Sequence, residues 1–353
     1  MQRAFLLTIL SLAITATSKA QDWTSFGRGA LFATYVTETG PRKPQTRLFS
    51  TNWFEGGVRR ALGGDSAIEF RGRGSLEPLT VPRDGYPQLL QYVSPASGGP
   101  LTDRMRAQDL VQELAMRVSW RAIRLDLAPV GDPPLGTTAF EQRASALDFA
   151  EAPFAYDIQE SFHLATRMAG LAVDTKTFAV EGAVFHASVT GGRHTSISDG
   201  KMDSWSGRVT VRPAEHLAIQ ASHGSLGDAH RKVTTGSITY EGAVVAASAI
   251  WTSRDAGLAT KLNAYGVEVA ARGARNVFSL RVEAVDRPAG TIYSTQRRTT
   301  HFTIGDVVEL TRTRGLRSGV GVNVDYQTNT KELQATYGHK PQSVYAFLRV
   351  RTE

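Results

Sequence analysis

The chain has 353 residues, with 40 Lys and Arg against 33 Asp and Glu for a formal net charge of +7, and it has no cysteine. The lack of thiols excludes disulfide stapling and thiolate chemistry. Basic residues scattered along the chain, with no basic block, exclude a nucleic-acid-binding tract.

Residues 1–20, MQRAFLLTILSLAITATSKA, combine a charged start at Arg3, an apolar run from Ala4 to Ile14 and small residues at Ser18 and Ala20. This pattern predicts a secretory signal peptide cleaved after Ala20, leaving one domain over 21–353 with a net charge of +5 once Arg3 and Lys19 are removed from +7. The run is too short to span a bilayer as a helix, and no other stretch offers about eighteen consecutive apolar residues. A helical inner-membrane protein is excluded.

The mature part alternates apolar and charged residues at period two, which a helix would scramble. In 65–77, Ile68 and Phe70 oppose Glu69, Arg71 and Arg73; in 109–121, Leu114, Met116 and Val118 oppose Glu113 and Arg117; in 122–130, Ile123, Leu125 and Leu127 oppose Arg124 and Asp126. The pattern recurs through 276–286 and 315–327 to the closing stretch 343–351, where Val344, Ala346, Leu348 and Val350 oppose Tyr345, Phe347, Arg349 and Arg351. About sixteen such segments can be drawn, within a range of about 12 to 18. Beyond those named they lie at 24–37, 47–60, 158–174, 177–189, 204–212, 216–224, 231–240, 244–253, 260–271 and 299–309. The connections alternate between tight, as at Leu62-Gly63-Gly64 and Pro213-Ala214-Glu215, and long, as at 78–108 and 131–157.

An even number of antiparallel strands with alternating short and long connections is the signature of an all-β, closed transmembrane β-barrel of the bacterial outer membrane. In hydrocarbon every backbone polar group needs an internal partner, so the last strand must pair with the first. Trp120 and Tyr240 at one end of their strands, and Trp205, Trp251 and Tyr326 at the other, are expected to form two aromatic girdles.

From SGGPLTDRMRAQDL onward the chain resembles a family of functionally uncharacterised bacterial outer-membrane β-barrel proteins with a porin-like character. The resemblance is carried by Gly98-Gly99-Pro100-Leu101, Asp103-Arg104, Asp109-Leu110, Gly131-Asp132-Pro133-Pro134-Leu135-Gly136, Ala139-Phe140, Arg143-Ala144-Ser145-Ala146, Ala152-Pro153, Glu181-Gly182, Ser206-Gly207-Arg208 and Phe347-Leu348-Arg349-Val350-Arg351. It implies a barrel and no reaction. Members of that family carry histidines where this chain has Arg106, Gln108, Gln142, Ala155 and Tyr156, and only His163 remains. A metal role therefore does not carry over.

The strand phases place Arg71, Arg73, Arg117, Arg121, Arg124, Arg167, Arg208, Arg281, Arg317, Arg349 and Arg351 on the inward face with Glu69, Glu113, Asp126, Glu181, Glu268, Glu283 and Asp325. Charges there must meet water or one another. Two readings follow: a water-filled pore whose arginine excess favours anions, or a lumen knitted by structural ion pairs. Loop 131–157 is the expected constriction, with Phe140, Glu141, Arg143 and Asp148 in it; Thr138-Ala139-Phe140-Glu141 resembles a capping box opening a short helix to about Phe149. A helix lying over the outer loops is the alternative.

His186 and His194 flank one connection and His223 and His230 another, at spacings that match no common zinc pattern. No catalytic residue, metal or cofactor is implied. The expected function is passive passage of small hydrophilic, mildly anion-favoured solutes; the alternative is a non-conducting barrel that binds partners through loops 78–108 and 131–157. Expected partners are outer-membrane lipid, the barrel-assembly machinery reading Tyr345 and Phe347, and small solutes, with no nucleic acid.

Overall fold

The structure, a computed structural model, describes residues 23–39, 45–92, 101–159, 165–187, 197, 199–227, 231–255, 261–287, 296–328 and 331–352. The proposed signal peptide and His163, His194 and His230 lie outside them. Among the described residues no helix is long and apolar enough to cross a membrane; strands form the wall.

The strands are β1 (Trp23–Thr39), β2 (Thr46–Gly63), β3 (Ser66–Gly74), β4 (Tyr86–Tyr92), β5 (Leu101–Met105), β6 (Val111–Trp120), β7 (Ile123–Gly131), β8 (Ala165–Asp174), β9 (Phe178–Ala187), β10 (Ser204–Ala214), β11 (Leu217–Leu226), β12 (Arg231–Glu241), β13 (Val245–Asp255), β14 (Lys261–Arg272), β15 (Asn276–Arg287), β16 (Arg297–Thr313), β17 (Leu316–Gln327) and β18 (Gln342–Thr352). All but β4 and β5 join one closed antiparallel barrel of sixteen strands. The ring closes where β1 pairs with β18, from Ala30 opposite Arg351 to Thr39 opposite Gln342. No strand edge is left for lipid to meet, as hydrocarbon demands.

Alternation sorts the two faces. Val58, Phe70, Leu125, Leu171, Val184, Val209, Ile238, Val267, Ile304 and Leu348 are exposed on the outer surface, while Thr34, Glu55, Thr252, Glu268, Thr303 and Asp325 are buried inside. Apolar side chains turned outward around a closed ring are the surface of a protein seated in a bilayer.

Seven tight turns mark one end, at 64–65, 121–122, 175–177, 215–216, 242–244, 273–275 and 314–315. Positive φ is required in the first and last, where Gly63 and Gly64 (84° and 57°) and Arg314 and Gly315 (52° and 78°) reverse the chain. The eight longer connections leave the opposite end, and β1 begins and β18 ends at the turn end.

The described parts of two of those loops fold into the barrel and occupy part of its lumen. L2 (residues 75–110) carries a short helix α1 (Glu77–Thr80) and the separate hairpin β4–β5; L3 (residues 132–164) carries one 3-10 turn (Phe140–Gln142) and helix α2 (Tyr156–Gln159). A third helix, α3 (Lys331–Tyr337), precedes β18. The expected helix from Thr138 to Phe149 is not formed: L3 runs through turns, and its Arg143 and Asp148 are held by wall residues instead of by a helical ladder. The hairpin in L2 was not marked by alternation, since YPQLLQY and LTDRM are too short and mixed to show it.

The apolar core therefore sits inside the lumen, between wall and loops. One cluster joins wall residues Val36, Phe49 and Tyr345 to Tyr86 and Met105 of the hairpin and Ala139, Ala152 and Tyr156 of L3. Another joins Leu262, Ala264 and Val285 to Leu89, Leu90, Phe154 and Ile158. Burial of that apolar area stabilises the seated loops at about 25 cal/mol per Å².

Candidate functional site: a partly filled lumen and its arginine-lined cleft

L3 is bound to the β13–β18 side of the wall by polar groups that alternation aims inward. Arg143 donates to Glu268 of β14 at 2.8 and 3.0 Å, and Ser145 bonds Ser248 of β13 at 2.8 Å and Glu268 at 3.1 Å. Asp148 pairs with Arg349 of β18 and lies 3.5 Å from Arg351. Arg281 of β15 stacks over Phe149 at 3.9 Å and donates to the Glu151 carbonyl at 3.3 Å. Glu283 accepts the backbone N–H groups of Phe154 and Ala155, each at 2.8 Å, and Arg254 donates to the Asp157 carbonyl at 2.6 Å.

L2 lies against the same wall. Tyr345 donates to the Pro87 carbonyl at 2.9 Å, Gln327 to Leu89 at 3.0 Å and Arg287 to Leu90 at 3.2 Å. Gln88 donates to Ala152 at 2.9 Å, tying L2 to L3. Burial pushes the loop carboxyls upward: Asp157 to about 6, opposed by Arg106, Arg287 and Arg254, and Glu151 well above the usual range, with the Asp325 charge adding to the effect. Burial also raises Glu77, although the N–H groups of Gln108 and Asn52 favour its ionised form.

With one side filled, open volume remains against the other. A polar cleft of about 270 Å³ runs between Thr137, Thr138, Ala139 and Gln142 of L3 and a wall bearing Arg28, Arg71, Arg73, Arg117, Arg124, Arg208 and Arg212. These arginines are not isolated. Glu55 takes Arg28 at 3.2 Å and Arg71 at 2.6 Å; Glu113 takes Arg71 at 3.3 Å and Arg117 at 3.4 Å. Asp126 takes Arg117 at 2.7 Å and Arg124 at 2.8 Å; Glu181 takes Arg124 at 2.8 Å and Arg208 at 2.7 Å. The result is a ladder of alternating charge around the ring from β1 to β10. It crosses β8 over the small inward residues Gly170 and Ala172, above Asp174 at the end of that strand: Ala172 stands between Arg124 and Glu181 in the register.

The two signs are not equally wet. In the Arg28–Glu55, Arg71–Glu113, Arg117–Asp126 and Arg208–Glu181 pairs the arginine is the more exposed partner: 45% against 3%, 13% against 2%, 26% against 10% and 21% against 10%. Along the ladder guanidinium groups lie nearer the cleft surface and carboxylates beneath, whereas at its flanks the order reverses, with Asp132 more exposed than Arg73 and Asp174 more exposed than Arg124. A water-filled passage with that layering presents positive potential to a solute although its formal charges nearly cancel.

Three solved structures share this architecture. The anion-selective porin from Comamonas acidovorans superposes with a TM-score of 0.59 at 14% identity, over 94% of this chain and all of that one. The TM-score is 0.58 at 10% identity for OmpF of Salmonella typhi in complex with daunomycin, over 93% of this chain and 97% of that one. It is 0.54 at 10% identity for OmpT, an outer membrane protein of Vibrio cholerae, over 96% of this chain and all of that one. This chain has the porin fold. At such identities the likeness is one of fold. No protein-family model matches the sequence, and no curated protein does.

Within this porin fold, Glu69, Arg71, Arg73, Glu113, Arg117, Arg124, Asp126 and Arg208 all belong to the ladder or its flanks; Glu69 lies 3.7 Å from Arg71 and 4.0 Å from Arg117. Arg73 is buried against Asp132 at 3.3 Å. Arg281 and Glu283, expected at open water, face the lumen but are sealed beneath L3 and almost wholly buried. Arg317 opposes Arg351 in the register at the turn end, away from the cleft. Arg167 is a correction. A bulge between Thr166 and Ala169, with Arg167 at φ 49°, breaks the alternation, so its side chain sits at the loop-end rim paired with Asp199. Arg121 likewise occupies a tight turn, over the Trp120 ring at 5.2 Å.

L3 carries Phe140 against the apolar cluster, Glu141 bonded by Gln112 at 3.2 Å, and the buried Arg143 and Asp148. Trp120 and Tyr240 stand exposed at the turn end and Trp205 and Trp251 at the loop end. Tyr326 lies beside Phe302 with ring centres 6.1 Å apart. Of the histidines, His186 is held by Asp203 at 3.1 Å and His223 by Thr234 at 2.8 Å. Among the described residues no cluster of three or more His, Asp or Glu is arranged to hold a metal ion. Sequence reasoning missed L2 as a second filler; Tyr345, Gln327 and Arg287, inward-facing at the loop end, are the residues that could have signalled it.

Proposed function

We propose that this chain is an outer-membrane channel for passive passage of small hydrophilic solutes, with anions favoured. The observation that carries the reading is the open cleft between L3 and the β1–β10 wall, along whose ladder arginines lie over carboxylates. Its volume of about 270 Å³ supports small solutes, and the exposed guanidinium groups of the ladder support anion preference. The apolar outer band and the fold of its neighbours support the outer membrane as location, reached by way of the signal peptide. Assembly machinery would read β18 before the ring closes, while Tyr345 and Phe347, buried in the finished barrel, are still uncovered.

The test is planar-bilayer recording of the purified protein across a salt gradient. Discrete conductance steps with an anion-directed reversal potential are expected; a cation-directed potential would overturn the charge argument. A non-conducting barrel is favoured by one observation, that two loops rather than one occupy the lumen. In that reading no steps appear at any voltage. The described parts of both loops point inward, which leaves little of them to serve as an outward binding surface.

A further inference from the structure

The ladder ends at β10, and it ends on arginine. Arg124 and Arg208 hold the two oxygens of Glu181 at 2.8 and 2.7 Å, and Arg124 and Arg212 lie 3.7 and 3.0 Å from the two oxygens of Asp174. Three guanidinium groups thus share two carboxylates, while Asp126, the remaining partner of Arg124, is also held by Arg117. Arg208 uses Nε for Glu181, and its two Nη groups make no hydrogen bond among the described residues. Beyond it the wall turns neutral: Gln220 of β11 donates to Thr210 at 3.2 Å, and Ser237 of β12 donates to Gln220 at 3.4 Å. Across the cleft stands Thr138 of L3, exposed.

We propose that Arg208, flanked by Arg124 and Arg212, is a binding site for a compact oxyanion, a carboxylate or phosphate group, at which permeating solutes pause. This rests on the channel reading above. A guanidinium with both Nη groups free offers two parallel donors that match a carboxylate or phosphate edge, a geometry chloride cannot use. Local charge favours an anion because three cations meet two anions there. The neutral hydroxyls and amide beside it suit the uncharged, hydrophilic remainder of such a solute.

The experiment uses the full-length barrel in planar bilayers, with inorganic phosphate as the probe in potassium chloride of constant ionic strength. Phosphate at about 5 mM is expected to cut the chloride current about twofold, the range of a millimolar site. Arg208→Gln, which leaves Glu181 its bond from Arg124, should raise the half-blocking concentration about tenfold or more, the loss of one charge-assisted contact. Lys331→Gln, an exposed charge on α3 far from the cleft in sequence, should leave it unchanged. Steady chloride current with no block, or equal block in Arg208→Gln, overturns the site and leaves the channel standing. If no current flows, the channel reading falls, and equilibrium dialysis of phosphate against the folded, detergent-held barrel decides the site. Retention lost in Arg208→Gln supports it, and absence of retention overturns it.

Discussion

Arg143 of L3 and Glu268 of β14 meet in a two-point ion pair at 2.8 and 3.0 Å, although 125 residues separate them in the chain. Both side chains are shielded from water, so the attraction is not screened as a surface pair would be. Removing Glu268 takes the carboxylate from both Arg143 and Arg281, the latter at 3.2 Å, and costs about 3–5 kcal/mol, while Glu268 left without Arg143 keeps Arg281 and Ser145 and the loss is smaller. Arg143→Ala or Glu268→Ala should therefore release L3, whereas replacing both together should be milder. The shift of the heat-modifiable band on a gel and the single-channel conductance read the two effects; single variants as stable as the parent would show that the pair does not hold the loop.

Deleting residues 137–149 removes the L3 side of the cleft together with Arg143, Ser145 and Asp148. Conductance should rise severalfold if this segment sets the narrowest section, and anion preference should fall as the passage widens beyond about a Debye length of 8–10 Å from the arginines. The bilayer trace of the deleted protein, provided its band still shifts on heating, is the check. Unchanged conductance would place the constriction in L2.

Asp157, on α2, has its carboxyl raised from 3.8 to about 6, chiefly by burial. The folded state thus holds the proton more tightly than the unfolded one, and the contribution is fully present below about pH 4 and is lost as pH rises through about 6. Carried to neutral pH the loss amounts to about 3 kcal/mol by linkage at 1.36 kcal/mol per unit. Asp157→Asn should flatten that slope and be the more stable protein at pH 7. Denaturation midpoints of both proteins between pH 4 and 7 measure it, and parallel slopes would contradict it.

Ala172 leaves the gap through which Arg124 reaches Glu181 across β8. Ala172→Leu should interrupt the ladder and overpack the inner wall, at a cost of about 1–3 kcal/mol. A reversal potential closer to zero with the band shift preserved is the expected result. Ala172→Ser, which barely adds volume, should leave both readouts near the parent.

Much of the wall is legible in the sequence because a membrane barrel imposes a rule on each strand: one face must be apolar and the other polar. Segments such as Ile123–Leu127 and Leu348–Arg351 state that rule residue by residue, and the order of tight and long connections follows with it. The rule fails where the backbone leaves the regular pleat, and Arg167 on its bulge is the case in point. It is also silent about what the inward face meets. Arg281 and Arg71 look alike in alternation, yet one lies under Phe149 and the other lines water. Their difference depends on two loops whose sequences have neither period two nor a helical period. A capping-box pattern at Thr138 to Glu141 proved a poor guide because Arg143 and Asp148 find stronger partners on the wall than a helical turn would supply.

The strand that seals the cylinder also carries the anchor of its filling. Arg349 of β18 grips Asp148 of L3 and Glu309 of β16 at once, so drawing the seam between the first and last strands shut with that loop elsewhere leaves Arg349 only its wall partner and removes the buried one. An early-made segment, held by β13–β15, therefore completes its attachment only with the final one. Stitching the cylinder and stopping its bore become a single late event, and an opened seam and a vacant bore should be found in the same molecules.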